Sequence, residues 1–537
     1  MMDLSKRSFE YVLFLLTGTV LFQSLFFFVN VGINCLSLIL ATFLYLLFSY
    51  LLKDNKRFNI KNVFAILIVW IVILLLFSYY RIFNECTYDG AYYHGDAIVN
   101  MLNGWNPFLE ADMHKVTGVT VWADYYPKAT WIFGANLIKL FNNLSAGMII
   151  NLLVSAALAV YGGIFTYEWK HKKILSIIVA IVLFLNPIAI EQTHTYYVDA
   201  VLGNLTIILL MLCAKVMRKY SVWNNLLIVC VSVFMINIKF TGFGFAGIIN
   251  LVTWLYLLFN NRKSFIKYTI SGVIMVVIAV VVIGFSPYFI NIMKSRHIFY
   301  PIVGENAEDV ITYLIPEEII DKNFYHKFTY SLTSGEGLIA NLKDFSADKY
   351  LLYDEKIGAM GKHFLKLLIL SSIGFIIYII NSFKTKKIDI VFWLSILSLV
   401  LSIVANYDNI WWFRYIPQIW AFIPIGIILL TDNKFAYIVI GALLVLLLFQ
   451  SYNITFNVID VDYKKSRAIE RFYKENKNKD VVVQIDPLTI GYPDRFDDFE
   501  IARAKQYGVN ITEVKHDEII DNIDSYYMHY YKIYVLK

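Results

Sequence analysis

The stretch that decides the fold is "NVFAILIVWIVILLLFSYY", residues 62–80, which contains no charged side chain. An α-helix needs about 20 such residues to cross the hydrocarbon core of a bilayer. Similar runs recur along the chain, and of its 537 residues 58% are hydrophobic and 16% are charged. A soluble domain of that composition cannot cover its surface with polar groups. The sequence therefore predicts an all-α polytopic membrane protein.

We predict about thirteen transmembrane helices from these runs. Their approximate bounds are 8–30, 34–52, 62–80, 146–166, 174–190, 198–216, 222–238, 240–259, 266–290, 363–382, 388–405, 415–431 and 435–453. The first run is too long for the apolar core of a signal peptide and is followed by no clear cleavage site. It is therefore predicted to be a retained helix.

Charge sets the predicted topology. Five short connections are basic and alternate with connections that are not. They read "KDNKRFNIK" (53–61), "EWKHKK" (168–173), "KVMRKY" (215–220), "NNRKSFIK" (260–267) and "FKTKK" (383–387). Because basic loops stay on the cytoplasmic side, the N-terminus is predicted to be cytoplasmic and the C-terminus extracytoplasmic.

The other connections include the long segments. Residues 1–453 form the predicted membrane domain, with a first outer loop at 81–145 and a large outer loop at 291–362. Residues 454–537 form a predicted small extracytoplasmic α/β domain, in which "DVVVQID" and "YYKIYVLK" resemble strands and "SRAIERFYKEN" resembles a helix.

The first outer loop begins with an unusually polar stretch, "CTYDGAYYHGDAIVNMLNGWNPF", residues 86–108. Asp89, His94 and Asp96 stand there among tyrosines, directly after a span. Ionisable residues near membrane depth are costly, and they are usually functional or paired. Asp89 is therefore a candidate functional carboxylate. The loop ends in "WADYYPKATWIFGANLIKLF", residues 122–141, whose aromatic side chains are typical of a segment at the membrane interface.

Further ionisable residues are predicted on the same outer face. "NPIAIEQTHTYYVDAVLGN" (186–204) brings His194 and Asp199 into a short connection, after an Asn-Pro pair expected to break the helix. Asp199 begins the next helix, so it is either a favourable charge at the helix N-terminus or a functional residue.

Three more segments carry cations to this face. Lys239 in "INIKFTGFGF" interrupts an apolar run, and a phosphate partner is the preferred interpretation over a snorkelling lysine. Arg414 in "NYDNIWWFRYIPQ" is either an aromatic-belt anchor or a phosphate clamp. "SPYFINIMKSRHIFYP" (286–301) ends the ninth span with Lys294, Arg296 and His297, to which no role is assigned.

The motifs that are missing from the sequence argue against several enzyme classes, and the polar residues on the outer face favour one. The chain has no P-loop, no dinucleotide-binding glycine pattern in a βαβ context, no CxxC pair and no HExxH motif. A carboxylate beside cations at a membrane face suits a reaction on a membrane-anchored sugar phosphate. The carboxylate would act as general base, and Lys239 and Arg414 would bind the phosphate leaving group. No cofactor is needed, although Asp89, Asp96 and Asp199 could share a divalent metal.

The motifs resemble those of GT-C type membrane glycosyltransferases, in the broad bacterial group of the protein mannosyltransferase (family 39) and aminoarabinose transferase families. "YDGAYYH", "MLNGWNPF" and "YYPKA" match the first outer loop of that group in order. The resemblance implies Asp89 as the catalytic base and Asp96 as its alternative. "IKFTGFG" and "FRYIP" resemble later elements and imply Lys239 and Arg414 as donor-phosphate ligands. The predicted substrate-binding residues are Tyr93, His94, Tyr126, Lys128, His194 and Asp199.

The resemblance spans about 62–431, and two extra helices precede its first loop. It implies a polyprenyl-phosphate sugar donor, a glycan, lipid or protein acceptor, and a bacterial plasma membrane location. Nothing in the pattern suggests a nucleic-acid partner. Gly90 follows Asp89 where some members have a second acid. Two alternatives remain open, an O-antigen-type polymerase and a non-enzymatic transporter or flippase of lipid-linked glycans.

Overall fold

A computed structural model describes most of the chain. The described residues are 2–54, 56–87, 89–110, 113, 120–305, 307, 312, 315–333, 360–431, 437–477, 480–485, 498–514, 524–528 and 531–535. The helices are α1 (Met2–Phe28), α2 (Leu36–Phe48), α3 (Ile60–Tyr80), α4 (Asp96–Leu102), α5 (Thr120–Tyr125), α6 (Ala129–Phe141), α7 (Ile149–Lys170), α8 (Lys173–Phe184), α9 (Pro187–Glu191), α10 (Asp199–Arg218), α11 (Val222–Ile236), α12 (Phe240–Asn260), α13 (Arg262–Val277), α14 (Tyr288–Met293), α15 (Phe324–Thr333), α16 (Phe364–Thr385), α17 (Ile390–Val404), α18 (Phe422–Leu430), α19 (Tyr437–Glu475) and α20 (Asp498–Gln506).

The prediction of a helical polytopic protein is confirmed. Nine helices in the described part of the chain are long and apolar enough to cross a membrane. A tenth candidate span is the pair Lys173–Phe184 and Pro187–His194, which bends by 56°. The bend lies at the predicted Asn-Pro break, where the Asn186 side chain accepts the Ile188 N–H and starts α9. Shorter apolar helices cover Ala129–Phe141, Val222–Ile236, Ile390–Val404 and Pro417–Leu430.

Ion pairs join several of the basic segments at one end of the bundle. Glu168 at the end of α7 pairs with Lys6 of α1 at 3.4 Å and with Lys215 of α10 at 2.5 Å. Arg218, three residues further along α10, pairs with Asp389 at the start of α17 at 2.6 Å. Helix α10 begins at Asp199 and ends at Arg218, so Asp199 lies at the opposite end of the bundle. We call that opposite end the site end.

Helices α1 and α2 are hydrogen-bonded to the first outer loop. Asn106 is buried in the loop, and its amide donates to the carbonyl of Phe27 at the end of α1 at 2.8 Å. Ser37 at the start of α2 donates to the Asn136 side chain in α6 at 2.8 Å. Since buried polar groups need hydrogen-bond partners, these contacts fix the loop against α1 and α2.

The last membrane helix continues well past its predicted end. Helix α19 runs from Tyr437 to Glu475 as 39 residues, whereas the apolar run was predicted to end at 453. Beyond that point it keeps a buried stripe, including Val458, Ile469 and Phe472. The predicted boundary between the two domains therefore falls inside a helix, and the division into domains stays a prediction.

A small sheet follows α19. Its strands are β1 (Asp480–Ile485), β2 (Asn510–Val514), β3 (Asp524–Met528) and β4 (Tyr531–Val535). The strand order is β2-β1-β4-β3, with β1 parallel to β2 and antiparallel to β4. β1 and β4 occupy the two segments that were predicted as strands, and α20 lies between β1 and β2 in the chain.

Candidate functional site

Four charged side chains meet at the site end, and we call them the charge cluster: Asp89, Asp199, Lys239 and Arg414. The Lys239 Nζ atom lies 2.7 Å from Asp199 Oδ1, and Arg414 Nη2 lies 2.8 Å from Asp89 Oδ2. Arg414 Nε is 3.5 Å from Asp199 Oδ2, so Asp199 links the two ion pairs. The side chain of Asp89 is 22% exposed, against 4% for Asp199 and 5% for Arg414. Asp89 is therefore the acid of the cluster that solvent or substrate reaches most easily.

Asp199 is held at the start of a long buried helix. It is the first residue of α10, where the free backbone N–H groups favour a negative charge. The neighbouring cap is supplied by Gln192, whose side-chain oxygen accepts the Ala200 N–H at 2.8 Å. The amide of Gln192 donates to Asp199 at 3.3 Å. With the cap supplied by Gln192, the Asp199 carboxylate faces the two cations.

Lys239 and Arg414 reach the cluster from two breaks in the helical bundle. Lys239 is an extended residue between α11 and α12, with φ −157° and ψ 150°. Arg414 lies in a 3₁₀ turn, Phe413–Tyr415, just before Pro417. A Cβ atom on Gly203 of α10 would lie 2.6 Å from Pro417 Cβ. Glycine at 203, one turn after Asp199, therefore allows the Arg414 segment to approach α10 closely.

Aromatic rings contact both cations. Lys239 Nζ lies 3.8 Å from the centroid of Tyr415, and the Arg414 guanidinium lies 4.4 Å from Trp412 and 4.7 Å from Tyr197. Ring faces attract cations and exclude water, which strengthens electrostatic interactions inside the site. Burial lowers the pKa of Lys239, and the charge of Asp199 opposes that effect.

The guanidinium of Arg414 is only partly satisfied. Its Nη2 atom donates to Asp89, whereas the buried Nε and Nη1 atoms make no hydrogen bond with the described residues, and Nε has only the 3.5 Å ionic contact with Asp199. A buried donor without a partner costs about 1–3 kcal/mol, and more when it is charged. The cluster thus has spare donor capacity for an anion with several oxygen atoms.

His94 is a neutral, buried neighbour of the cluster. Its Nδ1 atom accepts the indole N–H of Trp131 at 2.6 Å, which assigns the ring proton to Nε2. Burial lowers the pKa of His94 to about 3. The ring of Tyr93 lies 4.1 Å from that of His94 and 6.2 Å from that of Tyr126. These predicted substrate-binding residues therefore form one aromatic wall beside the cluster.

Lys128 is hydrogen-bonded to the turn that carries Tyr126. Its ammonium donates to the backbone carbonyls of Asp124 and Tyr126, both at 2.8 Å. Burial lowers the pKa of Lys128 to about 7. The ammonium also lies 5.8 Å from the ring centroids of Trp105 and Trp131. Lys128 therefore stabilises the backbone of the turn that carries Tyr126.

Asp96 and His194 point toward the C-terminal part of the chain. Asp96 Oδ1 accepts the backbone N–H of Phe499 at the start of α20, at 2.8 Å. The two ring nitrogens of His194 lie 2.7 Å from Asp462 of α19 and 2.7 Å from the Tyr79 hydroxyl. These contacts span hundreds of residues in sequence. Asp96 attaches the loop that carries Asp89 to α20, and His194 attaches the connection between α9 and α10 to α3 and α19.

Glu85 is a site residue that sequence reasoning missed. Its buried carboxylate accepts the Thr87 N–H at 2.7 Å, the Thr87 hydroxyl at 2.5 Å and the Tyr196 N–H. Burial raises the pKa of Glu85 to about 7, and these hydrogen bonds oppose the effect. A Cβ atom on Gly90 would lie 2.4 Å from this carboxyl group. Gly90, predicted only as a departure from the family pattern, therefore makes room for Glu85. The available signal was the position of Glu85 directly after a span.

Within the described ranges, no group of three or more His, Cys, Asp or Glu side chains is arranged to hold a metal ion. No protein-family model, curated protein or solved structure matches this chain.

Proposed function

We propose that this protein is a membrane glycosyltransferase that moves a sugar from a polyprenyl-phosphate donor to a cell-envelope acceptor. The observation that carries the proposal is the charge cluster, in which the partly buried Lys239 and the buried Arg414 meet two carboxylates, and two Arg414 nitrogens make no hydrogen bond with the described residues. An arginine fork suits phosphate oxygens, which supports a phosphate-bearing substrate.

The proposal includes a membrane arrangement. We propose thirteen spans, made of the nine long helices, the bent pair, and the shorter helices Val222–Ile236, Ile390–Val404 and Pro417–Leu430. Because the basic connections lie at the end opposite to the cluster, the positive-inside rule favours a cytoplasmic N-terminus and an extracytoplasmic site. The C-terminal part, which is attached to the site loop, would then also be extracytoplasmic. A bacterial plasma membrane is the location that fits a polyprenyl donor.

The proposed reaction uses Asp89 as the general base. The phosphate of the donor would bind Arg414 and Lys239, and Arg414 would exchange part of its interaction with Asp89 for the phosphate. The released carboxylate would take the proton of an acceptor hydroxyl as that oxygen attacks the anomeric carbon from the opposite face. The bond from that carbon to the phosphate oxygen would break, and polyprenyl phosphate would leave with its charge balanced by the two cations. No cofactor takes part.

Two observations support Asp89 over Asp96 as the base. Asp89 belongs to the charge cluster and is partly exposed, whereas Asp96 accepts a backbone N–H from α20. The aromatic wall of Tyr93, His94 and Tyr126 is the proposed contact for the sugar or the acceptor, because ring faces stack on apolar sugar faces. Asp199 is proposed to position Lys239 and Arg414.

The test is a transfer assay with purified full-length protein and a radiolabelled polyprenyl-phosphate sugar. Asp89→Asn keeps the size of the side chain and removes the base, so the transfer rate should fall by about 10²-fold or more. Asp96→Asn is the matched control, and it should lose far less activity at equal folded fraction. Full activity in Asp89→Asn would refute the assignment of the base.

A transporter or flippase of lipid-linked glycans is the second candidate. The observation in its favour is the 56° bend between α8 and α9, since broken helices line substrate paths in transporters. Cysteine accessibility at position 89 separates the two functions. A transporter exposes that position to each side in turn, whereas the proposed enzyme exposes it only on the extracytoplasmic side. An O-antigen-type polymerase would instead use a polyprenyl-diphosphate oligosaccharide as donor. The same transfer assay, run with each of the two donors, compares this alternative with the proposed function.

A further inference from the structure

A second cationic feature lies at the site end, outside the charge cluster. Short helix α14 ends at Met293 and is followed by the exposed residues Lys294, Ser295 and Arg296. The helix buries Tyr288, Ile290 and Asn291 and leaves apolar side chains outside. Ile292 is 52% exposed and Met293 is 66% exposed. Exposed apolar side chains directly beside exposed cations are typical of a segment at the lipid headgroup level.

The side chain of Arg296 packs between two tyrosine rings. Its guanidinium carbon lies 4.5 Å from the ring centroid of Tyr125 and 4.5 Å from that of Tyr300. Lys294 Nζ contacts the Tyr125 hydroxyl at 3.1 Å. In the part of the chain that the structure describes, the Arg296 side chain has no ion pair and no hydrogen-bond acceptor. The five N–H donors of its fork are therefore available in a fixed orientation.

The backbone around Arg296 is also fixed. The Arg296 N–H donates to the Asn291 carbonyl at 2.8 Å. The buried Asn291 amide donates to the carbonyls of Ile298 at 3.2 Å and Tyr300 at 3.1 Å. Asn291 thus ties the loop to α14 on both sides of the arginine. An arginine that is already oriented loses less conformational entropy when it binds a ligand.

We propose that Lys294 and Arg296, with the rings of Tyr125 and Tyr300, bind the anionic headgroup of a membrane lipid. The guanidinium fork matches a phosphate group. The exposed apolar side chains of Ile292 and Met293 lie where acyl chains would continue from that headgroup. This apolar neighbourhood favours a lipid over free phosphate. The inference does not depend on the glycosyltransferase activity.

The test uses full-length protein in nanodiscs of phosphatidylcholine, with phosphatidylglycerol added in increasing fractions. Phosphatidylglycerol retained by the protein is counted by native mass spectrometry after release from the disc. Arg296→Gln should lower the apparent affinity by about tenfold, because one charged hydrogen-bonding group is removed. Arg296→Lys keeps the charge but not the guanidinium fork, so its affinity for phosphatidylglycerol should lie between those of the wild-type protein and Arg296→Gln. Melting in phosphatidylcholine alone checks that each variant is folded.

Arg81→Gln is the matched control. Arg81 is an exposed arginine that follows α3 at the same end, and its guanidinium carbon lies 5.9 Å from a single ring, Phe77. The Arg81→Gln variant should bind phosphatidylglycerol with an affinity within about twofold of that of the wild-type protein. The proposal is overturned if Arg81→Gln and Arg296→Gln lose equal affinity, or if Arg296→Gln binds like the original. It is also overturned if millimolar inorganic phosphate displaces the lipid, which would show a free-phosphate site.

Discussion

Replacing Asp199 by Asn tests how strongly the charge cluster is coupled. The substitution keeps the shape of the side chain and removes one negative charge from the start of α10. In the original protein, that charge faces Lys239 at 2.7 Å and Arg414 at 3.5 Å. After the substitution, these two cations share only Asp89, and the cluster carries one uncompensated positive charge.

The size of the effect follows from burial. Removing one partner of a buried ion pair costs about 3–5 kcal/mol, because the remaining charge stays buried without compensation. The interaction of Asp199 with the N-terminus of α10 adds about 0.3–1 kcal/mol. The side chain of Asp199 is 4% exposed and that of Lys239 is 12% exposed, so solvent screens the pair only weakly. We expect Asp199→Asn to lower the free energy of unfolding by about 3 kcal/mol or more.

The assay is a double-mutant cycle, with unfolding followed by far-UV circular dichroism during titration with SDS in mixed micelles. The variants are Asp199→Asn, Lys239→Met and the double substitution. Because each single change leaves an opposite charge unpaired, the double variant should be more stable than the sum of the two losses predicts.

Asp389→Asn is the control for this cycle, since it breaks a partly exposed ion pair with Arg218 at the other end of the bundle. It should cost about 1 kcal/mol or less. A loss below 1 kcal/mol for Asp199→Asn, or additive losses in the cycle, would refute the coupling.

Two further predictions concern the loop that carries Asp89. The pKa of His94 in the folded protein is about 3, below its ordinary value of 6.5, so the unfolded chain binds the proton first as the pH falls. Because of His94, the free energy of unfolding should fall by about 2 kcal/mol between pH 7 and pH 5. SDS titrations at both pH values should show a smaller fall for His94→Asn than for the wild-type protein. An equal fall in the two proteins would contradict the prediction. Gly90→Ala should cost about 1–3 kcal/mol, because its Cβ atom would displace the Glu85 carboxylate. Gly244→Ala is the control for that variant, since a Cβ atom there meets nothing within 4 Å, and equal stability of the two variants would show that Gly90 is not confined.

The membrane class and the meeting of the charge cluster could be predicted from the sequence. Apolar runs give the spans, and the alternation of basic connections sorts the loops into two groups. Asp89, Asp199, Lys239 and Arg414 all fall in the group without the basic runs. Since that group must lie at one end of the bundle, residues as far apart as 89 and 414 could be expected to come together.

Pairing within the cluster could not be predicted. Periodicity and charge place a residue at an end of the bundle, but they do not identify its partner. Contacts outside the cluster could not be predicted either. Asp96 with Phe499 and His194 with Asp462 are each separated by more than 260 residues in sequence, and both contacts depend on how α19 and α20 pack against the membrane helices. The predicted end of α19, near residue 453, was also too early. The helix becomes amphipathic there, so its mean hydropathy no longer marks it as a membrane span.

Binding of a polyprenyl phosphate to Arg414 variants tests the central claim most directly. Binding to the purified protein is measured by microscale thermophoresis for the original, Arg414→Gln, Arg414→Lys and the control Arg218→Gln from the opposite end. Loss of charged hydrogen bonds worth about 1.5–3 kcal/mol predicts affinity lower by about tenfold to a hundredfold in Arg414→Gln. Arg414→Lys should be intermediate and Arg218→Gln unchanged. Undiminished binding to a folded Arg414→Gln variant would contradict the account, because the cluster would then not be the phosphate site.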